Sequence, residues 1–547
     1  MSLRGDVDHR ASAGTFAAVR PLRWLLGAGA LVLLAGACAG AGRDHVRVEV
    51  LPGPHSVLSA VVQVDADTAV QPTVVAIDGE GHRVEVPTPP AARHHAIPLV
   101  GLRAERTYSV EVTDETDGAV LASRELTTGA LPDDLPEVVV EADERARPGY
   151  TLFNASAGDG SVEHPGNLIA VDETGEVVWY LQAARSLADV RQLPDGHLIA
   201  NHDSTGAREF DLLGNVVREW TTTARVDAGR VEKDGTPFYT EDAFVVDTVR
   251  LHHEVAFRLP SGSFLALGME VRRIDGFPTE QCATEDALPP GSPLIRGDVV
   301  LEYTPTGEVV RRLPLLDAVD PVANPGVARC ESRTDPFVED REPYVDWTHG
   351  NSVQLFPRRN LVLVSARHLN QVLALRWDDD AEGPAGELLW SLGEGGDFDL
   401  VEGEWFVQQH APEWLDDGTI LVYDNGTERP GTIPAGGAEL PYSRAVIYEV
   451  EPPAGPGQRG TARQVWEHRI DGPDGTPEYA AFLGDADMIG DDHVLITHGA
   501  MESGDNYRAR IIEVDRVTGD VVLDINLPAG DVGWRTYRAE HLDTWYP

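Results

Sequence analysis

The chain has 547 residues, of which 42% are hydrophobic, and this composition is that of an ordinary globular protein long enough for two domains or more. Its 90 acidic and 44 basic residues give a formal net charge of -46, and Lys233 is the only lysine. A negative field of this size repels phosphate backbones, which excludes nucleic acid as a partner.

Residues 1–43 have the pattern of an export signal followed by a tether. Four arginines precede an apolar run at residues 24–37, which is too short for a membrane-spanning helix. The run ends at Cys38 in a phrase that resembles a lipoprotein signal box, with Cys38 as the lipidated residue. Plain cleavage nearby and an uncleaved signal anchor are the alternatives. We expect an exported protein of the periplasm or cell envelope, either lipid-anchored at Cys38 or free.

Residues 44–130 show short segments of alternating apolar and polar residues, separated by turns rich in Gly, Pro and Asp. Regular spacing without a helical period predicts a small antiparallel β-sandwich. Residues 97–110 resemble the late strands of fibronectin type III-like domains. A linker at residues 129–136 then leads into a third region.

Residues 137–547 contain a repeated phrase in which a turn precedes a short apolar strand. Its six copies begin at Thr174, Leu213, Thr306, Gly386, Arg463 and Thr518. A second phrase, apolar residue, turn and apolar strand, interleaves with the first, as at residues 193–198 and 415–420. Repeated sheets of this kind are the blades of a β-propeller. The sequence therefore predicts an all-β chain, in which a six-bladed β-propeller follows the sandwich.

Polar residues flank a predicted strand–turn–strand unit at residues 346–370. Two apolar segments, 353–356 and 361–364, enclose a turn, with His349 and Asn351 before the first strand and Arg367 after the second. Antiparallel pairing brings the start of the first strand beside the end of the second. We expect these three side chains, each able to bind an oxyanion, at one end of one sheet.

Three histidines occupy nearly the same position of successive repeats. They are His253, His349 and His410, each five to seven residues before the apolar residue that opens the second phrase. A single histidine before a strand is usually structural. Three in register favour a shared site in the propeller channel, although repeats can also inherit residues without function.

Six short motifs together resemble the bacterial arylsulfate sulfotransferases that use no nucleotide sulfate donor (the PAPS-independent type). They are His253-Glu254 before a Leu-Pro-x-Gly turn, Asp-Trp-Thr-His-Gly-Asn-Ser at 346–352, Ser-Ala-Arg-His at 365–368, Gln-His-Ala-Pro at 409–412, Asp-Asn-Gly at 424–426 and Ser-Arg at 443–444. The chain departs from the family in having Glu254 where Asp is common and in a shorter spacing from Arg367 to His410.

The resemblance implies transfer of a sulfuryl group from an aryl sulfate to a phenol, by a ping-pong mechanism through a sulfated His410. A planar guanidinium, Arg367, and the amide of Asn351 would bind the sulfuryl oxygens. His253 and His349 would bind oxygens or move protons, and which does which stays open. The expected partners are the aryl sulfate donor and the phenol acceptor, with no cofactor and no metal. The oligomeric state, monomer or homodimer, stays open too.

Further residues are weaker candidates for the same site. Substrate-binding candidates are His252, Asn425, Arg444 and Thr497, with surface pairing to a carboxylate as the commoner role of an arginine such as Arg444. An aryl slot could be formed by Trp347, Trp405 and Tyr423, with packing inside the propeller as the commoner use of any one of them. His368 is interpreted as structural, because in a strand it would face away from Arg367. Cys282 and Cys330 form an even pair in an exported protein, which predicts a disulfide.

Two other functions remain open. One is an exported propeller that binds or scaffolds without catalysis. The other is a metal-dependent propeller hydrolase, which needs a carboxylate-rich channel site, with Asp203, Glu254 and Asp424 as candidate ligands.

Overall fold

The fold was determined from a computed structural model, which describes most of the chain. The described residues are 45–157, 166–202, 206–227, 239–258, 261–278, 293–327, 332–333, 342–429, 440–455, 457–472 and 476–546. Cys38, Cys282, Cys330 and Asp203 lie outside them, so the lipidation site and the disulfide stay predictions. In the described part of the chain, no helix is long and apolar enough to cross a membrane.

Two sheets form the region before residue 128. Their strands are β1 (Val46–Pro52), β2 (Ala60–Val70), β3 (Pro72–Asp78), β4 (Arg83–Val86), β5 (Ala92–Leu99), β6 (Thr107–Asp114) and β7 (Ala119–Thr127). The strand orders are β1-β2-β5 and β4-β3-β6-β7. Buried residues alternate along β2 and β3 because successive side chains of a strand face opposite sides. The buried faces of both sheets share one hydrophobic cluster, which includes Val62 and Val110.

Six further sheets follow, and we number them one to six in chain order. Sheet one contains β9 (Tyr150–Ala157), β10 (Gly166–Asp172), β11 (Val177–Ala183), β36 (Trp534–Arg535) and β37 (Ala539–Leu542). Sheet two contains β12 (Leu187–Gln192), β13 (Leu198–His202), β14 (Gly206–Phe210), β15 (Val216–Thr222) and β16 (Phe244–Val246). Sheet three contains β17 (Leu251–Arg258), β18 (Ser263–Arg273), β19 (Leu294–Tyr303), β20 (Val309–Pro314), β21 (Ser332–Arg333) and β22 (Tyr344–Asp346).

In sheets four to six, four consecutive antiparallel strands form the main part of each sheet. Sheet four contains β23 (Gly350–Phe356), β24 (Leu361–Ala366), β25 (Gln371–Arg376) and β26 (Leu388–Gly393). Sheet five contains β27 (Phe398–Glu402), β28 (His410–Trp414), β29 (Thr419–Asp424), β30 (Arg444–Glu451) and β31 (Gly460–Arg469). Sheet six contains β32 (Asp485–Ile489), β33 (His493–Ser503), β34 (Asn506–Asp515), β35 (Val521–Leu527) and β8 (Val139–Ala142). The consecutive strands are β23 to β26, β28 to β31 and β32 to β35. Short helical segments lie between some of these strands. They are the helices α1 (Thr223–Asp227) and α2 (Leu315–Ala318) and the 3-10 turns Pro357–Arg359 and Arg367–Leu369.

Each numbered sheet shares a hydrophobic cluster with the next one, and sheet six shares a cluster with sheet one. In sheet order, the clusters contain Leu168 with Leu198, Ile199 with Phe264, Leu267 with Val364, Leu363 with Val422, Ile447 with Ile496, and Ile511 with Phe153. Packing of apolar side chains therefore links all six sheets in a cycle.

The two ends of this region are exchanged between its first and last sheets. β8, from the start of the region, pairs with β35 of sheet six, whereas the C-terminal β36 and β37 pair with β9 of sheet one. Backbone hydrogen bonds thereby tie both ends of the region into sheets, so neither end can fray without losing a ladder.

A side chain of one sheet also accepts a backbone N–H of the next sheet at five of the junctions. The pairs are Gln192 N to Glu540 Oε2 (2.8 Å), Val255 N to Asp189 Oδ2 (2.8 Å), Val353 N to Glu254 Oε2 (2.6 Å), Trp414 N to Gln354 Oε1 (2.9 Å) and Met488 N to Glu413 Oε2 (2.9 Å). We call these the junction hydrogen bonds.

The all-β class and the strand–turn–strand unit are both confirmed. β23 and β24 pair antiparallel with Gly350 opposite Ala366, and the turn between them is a 3-10 turn. Asn351 lies inside β23 instead of before it, because the strand begins earlier than its apolar pattern. The predicted domain boundaries are not tested by these features and stay predictions.

Candidate active site

His410 is the buried first residue of β28, and the structure defines which ring nitrogen carries its proton. Its Nδ1 lies 2.6 Å from Oδ1 of Asn425. Nδ2 of Asn425 donates to the carbonyl oxygens of Ala480 and Leu483, each at 2.8 Å. Because two carbonyls fix the amide orientation, Asn425 Oδ1 is the acceptor and His410 Nδ1 is the donor. The lone pair of the neutral ring is therefore on Nε2.

The surroundings of His410 keep its ring neutral. Burial lowers the pKa of His410 well below its ordinary value, and the positive charge of Arg367 lowers this pKa further. The hydrogen bond to Asn425 raises the pKa, but it is the weaker influence. A neutral imidazole with a free Nε2 lone pair can act as a nucleophile.

The backbone around His410 has an unusual conformation that a neighbouring side chain holds. Gln408 and Ala411 have φ values of 52° and 44°, in the left-handed region that non-glycine residues rarely adopt. Asn351 spans this segment, because its Nδ2 donates to the Gln409 carbonyl at 2.8 Å and its Oδ1 accepts from Ala411 N at 3.4 Å. The side-chain amide of Asn351 thus hydrogen-bonds the two peptide groups on either side of His410.

His349 forms a hydrogen-bonded pair with a buried carboxylate. Its Nδ1 lies 2.6 Å from Oδ2 of Asp346, which is three residues earlier in the chain. Burial alone would raise the pKa of Asp346, but Arg296 and His349 hold this pKa well below its usual value. The ionised carboxylate accepts the Nδ1 proton of His349, which fixes the ring and leaves its Nε2 on the opposite side from Asp346.

Gly350, which follows His349, must be a glycine because a carboxylate lies directly against it. A Cβ on Gly350 would lie 2.8 Å from Oδ2 of Asp298, and the backbone N–H of Gly350 donates to that carboxylate. No larger residue could follow His349 without displacing Asp298.

His252 and His253 lie at a register shift of β17 and contact each other through their Nδ1 atoms at 2.6 Å. Nε2 of His252 donates to the carbonyl oxygen of Gly268 at 3.2 Å and also lies 3.2 Å from Oδ1 of Asp298, which leaves Nδ1 of His252 as the acceptor for His253. The ring of His253, at a φ of 61°, lies 5.2 Å from the ring of His349. Burial lowers the pKa of His253 well below its ordinary value, so this ring is neutral.

Arg367 lies beside these histidines at the end of β24, as its place in the strand–turn–strand unit predicts. Its backbone N–H donates to the His349 carbonyl at 3.4 Å, and its Nη2 donates to the Ala481 carbonyl at 2.9 Å. A cavity of about 430 Å³ is lined by two arginines and two histidines, by three other polar residues and by two apolar residues, namely Arg333, Arg367, His349, His368, Gln408, Thr427, Glu428, Val327 and Phe482. The two guanidinium groups and the apolar side chains suit a ligand that has an anionic group on an aromatic ring, and Glu428 is the one carboxylate among these lining residues.

One prediction about a neighbouring residue is wrong. The alternation of a strand predicts that His368 faces away from the site, but it lies in a 3-10 turn, its ring is 4.6 Å from that of His349, and it lines the cavity. Of the two uses considered for Trp347 and Tyr423, the structure shows packing, since both are fully buried in the core. There the indole of Trp347 donates to Asn324 O, and the hydroxyl of Tyr423 hydrogen-bonds His498.

The third residue of this set, Trp405, is half-buried and packs against a core cluster of sheets four and five, where its ring lies 5.8 Å from that of Tyr448. The aromatic residue that does line the cavity is Phe482, which lies in a loop. No repeat or motif of the sequence singles out Phe482, so sequence reasoning could not find it. Asp346, in contrast, belongs to the motif at 346–352, and its position three residues before His349 is a sequence signal for the pair that the structure shows.

Two of the weaker candidates serve the protein interior. Nε of Arg444 donates to Oδ2 of Asp424 at 2.9 Å, and the guanidinium also pairs with Glu467, so its charge is neutralised by buried and half-buried carboxylates. Thr497 is buried in β33 opposite Asp485, and its hydroxyl has no hydrogen-bond partner among the described residues. Neither geometry points to a substrate.

One group of side chains at the site has the spacing of metal ligands, namely Asp346, His349 and His368. The carboxylate of Asp346 already lies 2.6 Å from His349 and 3.3 Å from Arg296, and a cation would have to compete with both. The carboxylates of Glu254 and Asp424 are likewise paired with arginines. The donor set fits a network of hydrogen bonds better than it fits a metal ion.

Comparison with known proteins gives one match over most of the chain. The model of the arylsulfotransferase (ASST) family matches residues 137–538, which contain every histidine of the site. No curated protein matches the chain.

Three solved structures resemble the chain at low identity. A protein of unknown function from Bacteroides caccae is 12% identical and covers 72% of this chain and 98% of its own, with a TM-score of 0.36. A putative 6-phosphogluconolactonase from Bacteroides uniformis is 12% identical, covering 86% and 100%, with a TM-score of 0.28. BamB from Moraxella catarrhalis is 13% identical, covering 78% and 91%, with a TM-score of 0.25. At these values the structural likenesses carry no argument about activity.

Proposed function

Because the chain belongs to the arylsulfotransferase family, we propose that it transfers a sulfuryl group from an aryl sulfate ester to a phenol, without a nucleotide sulfate, through a sulfated His410. The observation that carries the mechanism is the hydrogen bond between His410 Nδ1 and Asn425 Oδ1, since it leaves Nε2 of a neutral ring as the nucleophile.

In the first step, the Nε2 lone pair of His410 attacks the sulfur of the donor, and the bond between sulfur and the aryl oxygen breaks. His349 gives its Nε2 proton to the departing phenolate, while Asp346 holds the opposite side of the ring. The sulfated imidazole keeps its Nδ1 proton and carries a positive charge, which Asn425 Oδ1 stabilises. Arg367 balances the negative charge of the sulfuryl oxygens, because its planar guanidinium matches two oxygens at once.

In the second step, the oxygen of the acceptor phenol attacks the sulfur, and the bond between sulfur and Nε2 breaks. The proton of the phenol passes to His349, so the enzyme returns to its starting state. Donor and acceptor use the same cavity in turn, with their rings against Phe482 and Val327. Such a transfer has a loose transition state in which positioning and electrostatics supply most of the catalysis.

The architecture we infer for this function is a six-bladed β-propeller after an N-terminal β-sandwich. Six sheets that share hydrophobic clusters in a cycle support the propeller, and the common cluster of the two N-terminal sheets supports the sandwich.

The export signal at residues 1–43 and lipid attachment at Cys38 belong to the same proposal. Labelling with a radioactive fatty acid in wild type and Cys38→Ser would test the attachment.

The activity is tested with 4-nitrophenyl sulfate in the presence and absence of phenol, each with and without a chelator. We expect nitrophenol release that depends on phenol and is unchanged by the chelator. Release that the chelator abolishes would favour the metal-dependent hydrolase. No release by a folded protein, over a panel of aryl sulfates, would favour the binding module.

A further inference from the structure

Two residues of the C-terminal segment converge on one backbone carbonyl of the site. Tyr537 and Arg538 lie between β36 and β37, the strands that join the end of the chain to sheet one. The hydroxyl of Tyr537 donates to the carbonyl oxygen of Asn351 at 2.9 Å, and Nη2 of Arg538 donates to the same oxygen at 3.3 Å. Both side chains are buried, with exposed fractions of 5% and 4%. Two donors therefore hold the peptide group that follows Asn351.

Asn351 connects this carbonyl to the backbone of the proposed nucleophile, His410. The side chain of Asn351 bonds the backbone of Gln409 and of Ala411, on the two sides of His410. Since Ala411 has a φ of 44°, this segment keeps its shape only while its neighbours hold it. A continuous path of hydrogen bonds thus leads from the C-terminal segment to the residue that carries the nucleophile.

Arg538 is itself held by carboxylates from three other sheets. Its guanidinium lies 3.1 Å from Asp189 of sheet two, 3.6 Å from Glu254 of sheet three and 3.5 Å from Asp485 of sheet six. The carboxylates of Asp189 and Glu254 also accept junction hydrogen bonds. The position of Arg538, and with it that of the Asn351 carbonyl, therefore depends on several sheets being assembled together.

We propose that Tyr537 and Arg538 are positioning residues for His410. Through these two residues, the pairing of the C-terminal strands with sheet one sets the geometry of the nucleophile. The proposal rests on the function proposed above. Neither side chain contacts the reacting atoms in this scheme. Both act by fixing Asn351, which fixes the backbone on both sides of His410.

Tyr537→Phe is the sharpest test, because it removes one hydroxyl and keeps the ring that lies 5.7 Å from the ring of His253. We expect the single-turnover rate of His410 sulfation to fall about 10- to 100-fold, since small displacements of a nucleophile are costly. The dissociation constant of the donor and the melting temperature should change little. An unchanged rate, or a loss confined to donor affinity, would overturn the proposal.

Tyr303→Phe is the matched control. Tyr303 is a fully buried tyrosine of β19, and its hydroxyl has no hydrogen-bond partner among the described residues. Removal of this hydroxyl should leave the rate unchanged. Arg538→Lys keeps the buried charge but loses the planar fork, and we expect a rate loss of similar size in any folded sample. A folded Arg538→Lys enzyme with the full wild-type rate would contradict the role of the guanidinium.

A readout without substrate separates this inference from the proposed activity. Proton–nitrogen spectra of histidine-labelled protein report the ring nitrogens and the backbone amide of His410, with His410→Gln to assign the signals. We expect one Nδ1-protonated ring in both wild type and Tyr537→Phe, because Asn425 sets that tautomer. The backbone amide signal of His410 should be single in the wild type and doubled or broadened in Tyr537→Phe, because the peptide groups on both sides of His410 are held less firmly. The same single amide signal in both proteins would overturn the positioning role, whether or not the protein transfers sulfate. A doubled signal in the variant together with no turnover in the wild type would overturn the proposed function alone.

Discussion

A single amide sets which ring nitrogen of His410 carries the proton. If Asn425 presented its nitrogen to the ring, the proton of His410 would move to Nε2, and the nitrogen proposed as the nucleophile would have no lone pair. The carbonyls of Ala480 and Leu483 prevent this, because each accepts a proton from Asn425 Nδ2. The motif Asp-Asn-Gly placed Asn425 near the site from sequence alone, but its role needed those two loop carbonyls, which no sequence pattern specifies.

Replacement of the nucleophile is the first prediction at this scale. His410→Ala should lower the rate of transfer about 10³-fold or more, because no other group takes over a covalent step. Thermal unfolding should show an intact fold. His468→Ala, a half-buried histidine that lies against Trp466, is the control and should keep wild-type activity. Substantial activity in His410→Ala would remove His410 from the nucleophilic role.

Arg367→Lys tests the shape of the cation and not its charge. A lysine ammonium cannot present two parallel donors to the sulfuryl oxygens, so we expect kcat to fall about 10- to 100-fold. The comparison requires steady-state kinetics with saturating phenol. A variant with unimpaired kcat would show that a point charge is sufficient.

The neutral state of His410 predicts the pH dependence of its sulfation. The folded pKa of His410 lies well below the ordinary value, so the lone pair of Nε2 persists as the pH falls through 6.5. With 4-nitrophenyl sulfate, whose leaving group needs little protonation, the single-turnover rate should be level from pH 8 to pH 5.5. A rate that halves near pH 6.5 and continues to fall would contradict this state of the ring.

At the scale of the elements, the unit β23–β24 shows what the sequence could and could not predict. The alternation of apolar residues predicted two antiparallel strands, and their register does bring Arg367 N to the carbonyl of His349. The alternation of side chains between the two faces of a strand ends with β24, so it does not predict the direction of His368. The chain enters a 3-10 turn after β24, and in this turn His368 lines the cavity. Register and strand ends depend on hydrogen bonds between distant segments, which a local pattern does not contain.

Junction hydrogen bonds predict a stability effect at this scale. Gln354→Met removes the acceptor for the backbone N–H of Trp414 and leaves that N–H without a partner between sheets four and five. We expect the free energy of unfolding to fall by about 1–3 kcal/mol in urea titrations. Gln354→Glu keeps an acceptor at the same reach and should recover most of the loss. Equal stability of wild type and Gln354→Met would contradict a structural role for this bond.

At the scale of the whole molecule, the repeated phrases of the sequence predict the all-β fold. They do not predict how the strands at the two ends of the region pair with its last and first sheets. Six copies of one phrase indicated repeated sheets, but β8, β36 and β37 lie outside the phrase and were assigned no partner. The net charge of -46 also has a local exception, since two arginines, Arg333 and Arg367, and one carboxylate, Glu428, line the cavity. Screening limits more distant charges to about 8–10 Å in ordinary salt, so these near groups set the charge at the cavity.

Carboxylates between the sheets predict a pH-dependent stability. Burial, the largest influence on each, raises the pKa of Asp487 and of Glu540 to about 7. A carboxyl whose folded pKa exceeds its unfolded pKa contributes stability that is complete below the unfolded pKa and is lost as the pH rises through the folded pKa.

Asp487→Asn isolates this contribution from the depressed histidine pKa values, which act in the opposite direction. Relative to wild type, the variant should gain about 2 kcal/mol in free energy of unfolding between pH 5 and pH 8. Urea titrations at both pH values measure the difference. A difference that does not change with pH would show that Asp487 is ionised at both.

The covalent intermediate is the most direct test of the account. The enzyme is mixed with 4-nitrophenyl sulfate without acceptor, quenched within one turnover, digested and examined by mass spectrometry. We predict one SO3 group on the peptide that contains His410, and its loss when phenol is added before the quench. An unmodified His410 peptide during the release of nitrophenol, or an SO3 group on the peptide of His253 or His349 instead, would contradict the account.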